Sequence, residues 1–342
     1  MEPLLPGAPW LVAHRSMLNK DRPRRVTLNG RDYVLWQNRQ GEISALNNVC
    51  PHMQAPLSEG WICAGRITCP FHALEFDGQG RMWQEGRSGA ALARPLKIFV
   101  EDDCIWTYGG FAPQLPIPEL HRHLARDYEF LGVAGETSLQ ADLLSSLLIN
   151  YDFNHQNGTH REMFRVISCT VPSFVQSEYH AHVEMQLVRA ANTPGELAKN
   201  PALALLPRQM SNTLEYAFPS TTVLIADVPF GRLAQVHIVY PETESRTRTF
   251  ILLYGQIANP LLKRLLRKPL LEAAATVVAQ DARAIESLYP REKPGVRLAN
   301  DEIIAYAERL FREWPSAFAP VPADTLQCSD SPQGQGDCSN QQ

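Results

Sequence analysis

Several features that mark large protein classes are missing from the 342-residue sequence. No uninterrupted apolar run reaches about 18 residues, so the sequence predicts no transmembrane helix. The net charge of −4 lacks the strong positive excess of a nucleic-acid-binding protein, so we expect no nucleic-acid partner. No segment near the start has the apolar core of a signal peptide, which leads us to expect a cytoplasmic protein.

Cysteine is scarce and scattered. The seven cysteines lie at positions 50, 63, 69, 104, 169, 328 and 338. Two of them belong to the motif described below, and the odd remainder does not have the pattern of a disulfide framework, which fits a reducing cytoplasm. The G-x-G-x-x-G signature of dinucleotide binding is also missing, so a nicotinamide cofactor is expected to act only through another protein.

Length and ordinary composition, with 44% hydrophobic and 20% charged residues, predict two globular domains. Residues 1–111 contain short alternating segments and turns, among them the hairpin signal Asn29-Gly30, and predict an all-β domain. Three prolines within 112–126 predict a linker. Residues 127–318 are expected to form a second domain, and 319–342, rich in Pro, Ser, Gly and Gln, a disordered tail.

The second domain mixes both kinds of secondary structure. The apolar spacing predicts a helix over 140–155, and segments rich in β-branched and aromatic residues predict strands over 175–187, 214–218, 222–227, 234–240 and 248–256. Helices are expected over 260–267, 269–288 and 301–314, with Pro315 ending the last.

The first motif with metal-binding chemistry lies between Cys50 and His72. Cys50-Pro51-His52 is followed after sixteen residues by Cys69-Pro70-Phe71-His72. Two thiolates and two imidazoles, delivered as mixed pairs, are the ligands of a Rieske [2Fe–2S] cluster. A structural Cys2His2 zinc site uses the same ligand types and stays an alternative, although zinc fingers usually pair Cys with Cys and His with His.

A second constellation, Asp152-x2-His155-x4-His160, follows about eighty residues later. Histidines are common ligands of Fe(II), and Asn157-Gly158 between them is expected to break the helix so that both rings converge. The alternative is an ordinary helix C-terminus with His155 in the last turn.

A third ligand is needed for a 2-His-1-carboxylate iron site, and Asp281 is the best candidate. It lies within an apolar stripe of the predicted helix 269–288, formed by Ala274, Val277, Val278, Ile285 and Leu288. A carboxylate on such a face is costly unless it binds a metal or an arginine, and both possibilities remain open. Asp227 and Glu162 are weaker candidates.

Other polar residues could contact a substrate in this domain. They are Arg161, His180, His182 and His237, although solvated or structural roles are commoner for such residues. The basic segment 261–271 could lie on a membrane surface, but a solvated helix face is the simpler interpretation.

Together the two motifs, in this order, resemble those of the catalytic α subunits of Rieske non-haem iron oxygenases, over about residues 8–315. The resemblance implies an α+β chain: an N-terminal all-β Rieske domain and a C-terminal helix-grip (START-like) catalytic domain with a curved antiparallel sheet. Family members often have Arg-Gly after the first histidine and Gly-Trp after the last. Here Met53-Gln54 and Ala73-Leu74 stand at those places.

Residue roles also follow from the resemblance. The implied ligands are Cys50, His52, Cys69 and His72 for the [2Fe–2S] cluster, and His155, His160 and Asp281 for mononuclear Fe(II). Asp152 would link a cluster histidine to an iron-bound histidine, usually across a subunit boundary of a homotrimer. Electrons would come from NAD(P)H through a separate ferredoxin or flavin reductase.

The function expected from this resemblance is an oxygenase that uses O2 to hydroxylate, dealkylate or desaturate a small hydrophobic aromatic or alicyclic molecule. The alternative is an electron-transfer or sensor protein, in which a Rieske cluster accompanies a non-catalytic ligand-binding domain.

Overall fold

The computed structural model describes residues 2–84, 86–199, 204, 207–292 and 294–315. Contacts between residues divide the chain into two compact units, with the division between Pro116 and Ile117. This point lies inside the segment 112–126 that the sequence predicts as a linker. The predicted tail, 319–342, lies outside the described residues.

The first unit is built from short antiparallel strands. They are β1 Trp10–His14, β2 Arg24–Leu28, β3 Arg31–Gln37, β4 Ile43–Asn47, β5 Trp61–Cys63, β6 Arg66–Thr68, β7 Glu75–Phe76, β8 Arg81–Gln84, β9 Arg87–Ala91, β10 Ile98–Glu101 and β11 Cys104–Thr107. They form three sheets with the orders β1-β11-β10, β2-β3-β4 and β5-β6-β7-β8-β9.

The predicted hairpin between β2 and β3 is confirmed. Asn29 and Gly30 both have positive φ, at 50° and 73°, as a two-residue hairpin turn of type I′ requires. Trp36, Leu46 and Phe76 pack in one buried cluster with the two motif cysteines, so the loops that carry those cysteines rest on the core of this unit.

The second unit contains one large antiparallel sheet and several helices. The strands are β12 Glu129–Leu139, β13 Val166–Gln176, β14 His180–Arg189, β15 Gln209–Ala217, β16 Thr221–Val228, β17 Gly231–Thr243 and β18 Arg246–Gln256. The helices are α1 Leu120–Asp127, α2 Leu143–Leu148, α3 Arg161–Phe164, α4 Pro194–Lys199, α5 Pro260–Glu286 and α6 Asp301–Arg312. The strand order is β12-β18-β17-β16-β15-β14-β13, which confirms the predicted α+β class.

The helix α5 packs on one end of this sheet. Ala274 and Val278 of the helix are buried against Ala134 of β12 and Ile251 of β18. Successive residues of a strand point to opposite faces, so these contacts define the sheet face that meets the helix. That face positions the carboxylate of Asp281, three residues beyond Val278 on the same helix.

The prediction of one helix over 140–155 is wrong. The helix α2 ends at Leu148, and a separate 3-10 turn covers His155–Asn157. Between them Tyr151 is buried and stacks on Tyr216 of β15, with ring centroids 4.2 Å apart. The hydroxyl of Tyr216 also donates to the carbonyl of Asn150 at 2.8 Å. These tertiary contacts hold the chain out of the helix that its apolar spacing favours.

Two other predicted boundaries are wrong. The segments 260–267 and 269–288 form one helix, because Pro269 is tolerated on its exposed face, where water can satisfy the carbonyl released by the missing N–H. The predicted strand 175–187 is interrupted by a turn between β13 and β14. Among the described residues, no helix is both long and apolar enough to span a membrane.

Candidate metal centres

Two loops with the same backbone pattern carry the first set of candidate ligands, over residues 50–55 and 69–74. In each, the cysteine N–H donates to the carbonyl five positions later, at 2.9 and 2.8 Å. The cysteine carbonyl accepts from the N–H four positions later, at 2.9 and 3.1 Å. Gln54 and Ala73, at matching places, have positive φ of 55° and 54°. The short motif therefore specifies a pair of equivalent tight loops.

In these loops the cysteine side chains are buried and the histidine side chains are exposed. Cys50 and Cys69 are each 1% exposed, whereas His52 and His72 lie at the surface with their Nδ1 atoms 3.2 Å apart. Burial raises the pKa of the Cys50 thiol, with smaller opposing contributions from backbone hydrogen bonds. Such a thiol becomes a thiolate by binding a metal. A buried sulfur pair beside an exposed imidazole pair fits the two unlike irons of a Rieske cluster.

A single zinc ion fits this arrangement less well. It requires four donors at bond lengths of about 2.0–2.3 Å, so the donors must lie close together. Among the described residues, the donors that form a group of three or more within 4.8 Å of one another are His155, His160 and Asp281, and no such group comes from the first motif. The four ligands of the first motif are spread more widely, as a cluster of two irons needs.

The second set of candidate ligands is brought together from two distant parts of the second unit. His155 lies in the 3-10 turn, His160 directly precedes α3, and Asp281 lies on α5. The Oδ1 atom of Asp281 is 3.7 Å from Nε2 of His155 and 2.9 Å from Nε2 of His160. All three residues are buried or partly buried.

A contact with the backbone fixes the tautomer of His155. Its Nδ1 contacts the backbone carbonyl of Asp152, and a carbonyl can only accept, so Nδ1 carries the proton. Nε2 is then bare and faces the oxygen of Asp281. Burial lowers the pKa of His155, which favours the neutral imidazole that a metal needs, although the Asp281 carboxylate opposes this shift.

His160 has the corresponding arrangement. Its Nδ1 lies 2.7 Å from Oε1 of Gln280, and its Nε2 faces Asp281. Burial alone would lower the pKa of His160, but the Asp281 carboxylate and Gln280 raise it overall above the ordinary value. The buried Oδ1 of Asp281 accepts no hydrogen bond of good geometry. With Gln280 at Nδ1, Nε2 is the ring nitrogen of His160 that can bind a metal. Two imidazole nitrogens and one carboxylate oxygen therefore converge, and a divalent cation fits this donor set.

Gly158 does not have the role expected for it. Its φ is −106° and a Cβ atom there would meet only the carbonyl of His155, at 3.9 Å, so the turn does not need a glycine. The two rings converge because the 3-10 turn and α3 are separate one-turn elements. Their centroids are 5.1 Å apart.

The weaker carboxylate candidates lie outside this donor set. Asp227 pairs with Arg232 at 2.7 Å on the surface, and Glu162 is exposed. The predicted apolar stripe is also shorter than expected, because Leu288 lies beyond the end of α5 and is 60% exposed.

Three other histidines were candidates for contact with a substrate. His180 is exposed and His182 pairs with Glu215 at 2.5 Å, and neither belongs to the converging donor set. His237 on β17 is aligned with Ile251, the residue that packs against α5. Burial lowers its pKa to about 4, with opposing influence from Asp281. A neutral imidazole therefore lies near the donor set. The sequence offered no signal that separated it from the others.

Two family models match the chain. The Rieske [2Fe-2S] domain matches residues 8–94, and the vanillate O-demethylase oxygenase C-terminal domain matches residues 150–314. The first range contains both cysteine–histidine loops, and the second contains the three converging donors.

Similar proteins cover nearly the whole chain. The oxygenase component of dicamba O-demethylase from Stenotrophomonas maltophilia is 29% identical over 89% of this chain and 95% of its own. The 4beta-methylsterol monooxygenase of Methylococcus capsulatus is 25% identical over 78% of this chain and 74% of its own. The crystal structure of dicamba monooxygenase bound to dicamba has the same fold, with a TM-score of 0.72 at 22% identity, and covers 91% of this chain and 98% of its own. These similarities support an oxygenase and not the alternative of a sensor.

Proposed function

Because the chain belongs to the Rieske non-haem iron oxygenases, as a catalytic α subunit with a [2Fe–2S] cluster and a non-haem iron, we propose that it demethylates a small aromatic methyl ether. In this reaction O2, two electrons and two protons convert the ether to a phenol, formaldehyde and water. The proposal rests on the similarity to dicamba O-demethylase over 95% of that protein. An alicyclic substrate is the second candidate, because a sterol monooxygenase is also similar over 78% of this chain.

We assign the [2Fe–2S] cluster to the two loops of the first unit. Its ligands in this proposal are Cys50, His52, Cys69 and His72. Supporting this assignment, both thiols are buried beside the core, and both imidazoles are exposed with their Nδ1 atoms 3.2 Å apart. The loop N–H groups that the cysteine carbonyls do not use are available to hydrogen-bond sulfur.

The mononuclear iron is assigned to His155, His160 and Asp281. The observation that carries this assignment is the convergence of three donor atoms within 4.8 Å of one another. Two imidazoles and one carboxylate form the set that holds non-haem Fe(II) and leaves positions open for O2. When bound, this iron supplies the activation of O2. The protein's part is to keep Nε2 of both histidines bare through hydrogen bonds at Nδ1.

Asp152 is proposed as the residue through which electrons pass from the cluster to the iron. Its backbone carbonyl holds Nδ1 of His155, and its carboxylate accepts from the N–H of Asn154 at 2.8 Å. One residue can therefore link an iron ligand to a group beyond it. We further propose a homotrimer in which the cluster of one chain serves the iron of the next.

The electron donor is proposed to be a separate ferredoxin or flavin reductase that uses NAD(P)H. Its docking surface would include Met53 and Phe71, which adjoin His52 and His72 and are 55% and 60% exposed. Exposed apolar side chains beside an exposed redox group suit a brief encounter with a partner. Because NAD(P)H is a cytoplasmic reductant, we propose that the protein acts in the cytoplasm, which cell fractionation would test.

The test compares wild type with Asp281→Asn in metal analysis and turnover. Wild type should contain about three irons per chain, and Asp281→Asn about two with an unchanged Rieske EPR signal. With a reductase and NADH, wild type should release formaldehyde from at least one member of a panel of aromatic methyl ethers. Sterols form the second arm of the panel. A wild-type protein with only two irons per chain would exclude the proposed oxygenase site.

A further inference from the structure

We propose that Gln280 is a positioning residue for the mononuclear iron: its side-chain carbonyl fixes the tautomer and the ring orientation of His160. This inference rests on the proposed iron site and adds a residue to it. Gln280 and Asp281 are neighbours on α5, so one helix contacts both nitrogens of a single imidazole. Oε1 of Gln280 lies 2.7 Å from Nδ1, and Oδ1 of Asp281 lies 2.9 Å from Nε2.

Because His160 is buried, its ring depends on the hydrogen bond that Gln280 accepts from Nδ1. The residue is 2% exposed, so water cannot replace a lost hydrogen bond at Nδ1 without rearrangement. The ring also packs edge-on against Phe164, with centroids 5.4 Å apart, which leaves Gln280 as its polar partner at Nδ1. An unsatisfied buried N–H is unfavourable, and the ring would then turn or exchange the proton to Nε2. Either change removes the lone pair that a cation needs.

The amide orientation follows from the same reasoning. If the amide nitrogen of Gln280 faced Nδ1, it would donate there and the proton of His160 would move to Nε2. That proton would point at Asp281 and occupy the position of the cation. The carbonyl oxygen at Nδ1 is therefore the orientation compatible with three converging lone pairs.

The two histidines differ in how they are held. Nδ1 of His155 contacts a backbone carbonyl, that of Asp152, which no side-chain substitution at that position removes. Nδ1 of His160 contacts a side chain, and that side chain also lines an open cavity of about 310 Å³. Only the second hydrogen bond can be removed by a point substitution, so Gln280 is where the affinity for iron can be adjusted.

The experiment measures the affinity of the purified full-length protein for Fe(II), without oxygen, by competition with a chromogenic chelator. Gln280→Leu should bind Fe(II) about 10–100-fold more weakly than wild type, the usual effect of losing a partner of a metal-bound histidine. Gln280→Glu keeps an acceptor at the same place and should restore binding to wild-type strength or better. Rescue by Glu distinguishes positioning from simple packing, because both variants fill the space.

Arg283→Leu is the matched control, since Arg283 lines the same cavity on the same helix and is exposed. Its Fe(II) affinity should equal that of wild type. If Gln280→Leu does not fold, as judged by cluster absorbance and melting, Gln280→Asn takes its place, because its shorter side chain cannot span the same distance. Wild-type affinity in the acceptor-free or shortened variant, or a Glu variant as weak as Leu, would overturn the inference. Failure of wild type itself to bind Fe(II) would instead refute the proposed iron site.

Discussion

Gly135 holds the ligand helix at its observed distance from the sheet, and its replacement by alanine should damage the iron site. The residue lies on β12 at a bulge, with a φ of 62°. A Cβ atom there would lie 2.8 Å from both Cβ and Cγ2 of Val278 on α5. Val278 precedes Asp281 by less than one helical turn, so any displacement of the helix moves the carboxylate as well.

The size of the effect can be worked from these distances. Non-bonded carbons prefer a separation of about 3.5–4.0 Å, so the helix would have to move by roughly 0.7–1.2 Å. Left-handed backbone costs a non-glycine residue about 1–2 kcal/mol, and overpacking costs about 1–3 kcal/mol. After the smaller gain from a less flexible unfolded chain, we expect Gly135→Ala to lose about 2–4 kcal/mol of stability.

Function should be more sensitive than stability. A metal site has to be held within about 0.5 Å of its productive geometry, which is less than the expected displacement of Asp281. Gly135→Ala should therefore retain its cluster absorbance and lose most of its mononuclear iron. The measurements are the free energy of unfolding in urea and the iron content after reconstitution with Fe(II).

Gly158→Ala is the matched control. This glycine lies between the two ligand histidines, yet its backbone is accessible to alanine and a Cβ atom there has room. It should unfold and bind iron as wild type does. Wild-type iron content in Gly135→Ala, or an equal loss in Gly158→Ala, would show that contact with the sheet does not set the position of α5.

Three further perturbations test other parts of the molecule. Asp152→Ala should keep both metal centres, because His155 is held by a backbone carbonyl, but it should lose most turnover. Oxygen uptake with a reductase measures turnover, and a wild-type rate would refute the proposed electron route. Ala73→Gly should stabilise the protein by up to about 1 kcal/mol, since Ala73 has a φ of 54°, and an unchanged melting temperature would argue against strain there. Burial lowers the pKa of His14 to about 4, whereas the imidazole of the unfolded chain binds a proton at about pH 6.5. The free energy of unfolding should therefore fall by up to about 3 kcal/mol as the pH is lowered from about 6.5 to 4. Urea unfolding at several pH values, with His14→Gln showing a shallower loss, checks this.

Some features were predictable from the sequence because they depend on residues close together in the chain. The Asn29-Gly30 hairpin needs only two residues that accept positive φ, and it formed as predicted. The two cysteine–histidine loops are equally local, since each is closed by hydrogen bonds within six residues. The two mixed pairs, Cys50-x-His52 and Cys69-x2-His72, were therefore enough to indicate four ligands of one centre, although their assignment to the cluster stays a proposal.

Other features depend on contacts between residues far apart, and sequence patterns misjudged them. The segment 140–155 has helical spacing, but stacking of Tyr151 on Tyr216 ends the helix at Leu148. Gly158 looked necessary for bringing the histidines together and is not. In the segment 140–155 this tertiary contact outweighs a local helical preference that is worth only fractions of a kcal/mol per residue.

The sequence by itself determined the kinds of donor available and their local loops, because thiol and imidazole chemistry and short-range hydrogen bonding need no distant partner. Only the tertiary structure decided that Asp281 and Gln280 reach opposite nitrogens of His160, across 120 residues of chain. That arrangement comes from packing α5 on the sheet, where burial excludes water and leaves each polar atom dependent on the partner that the fold supplies.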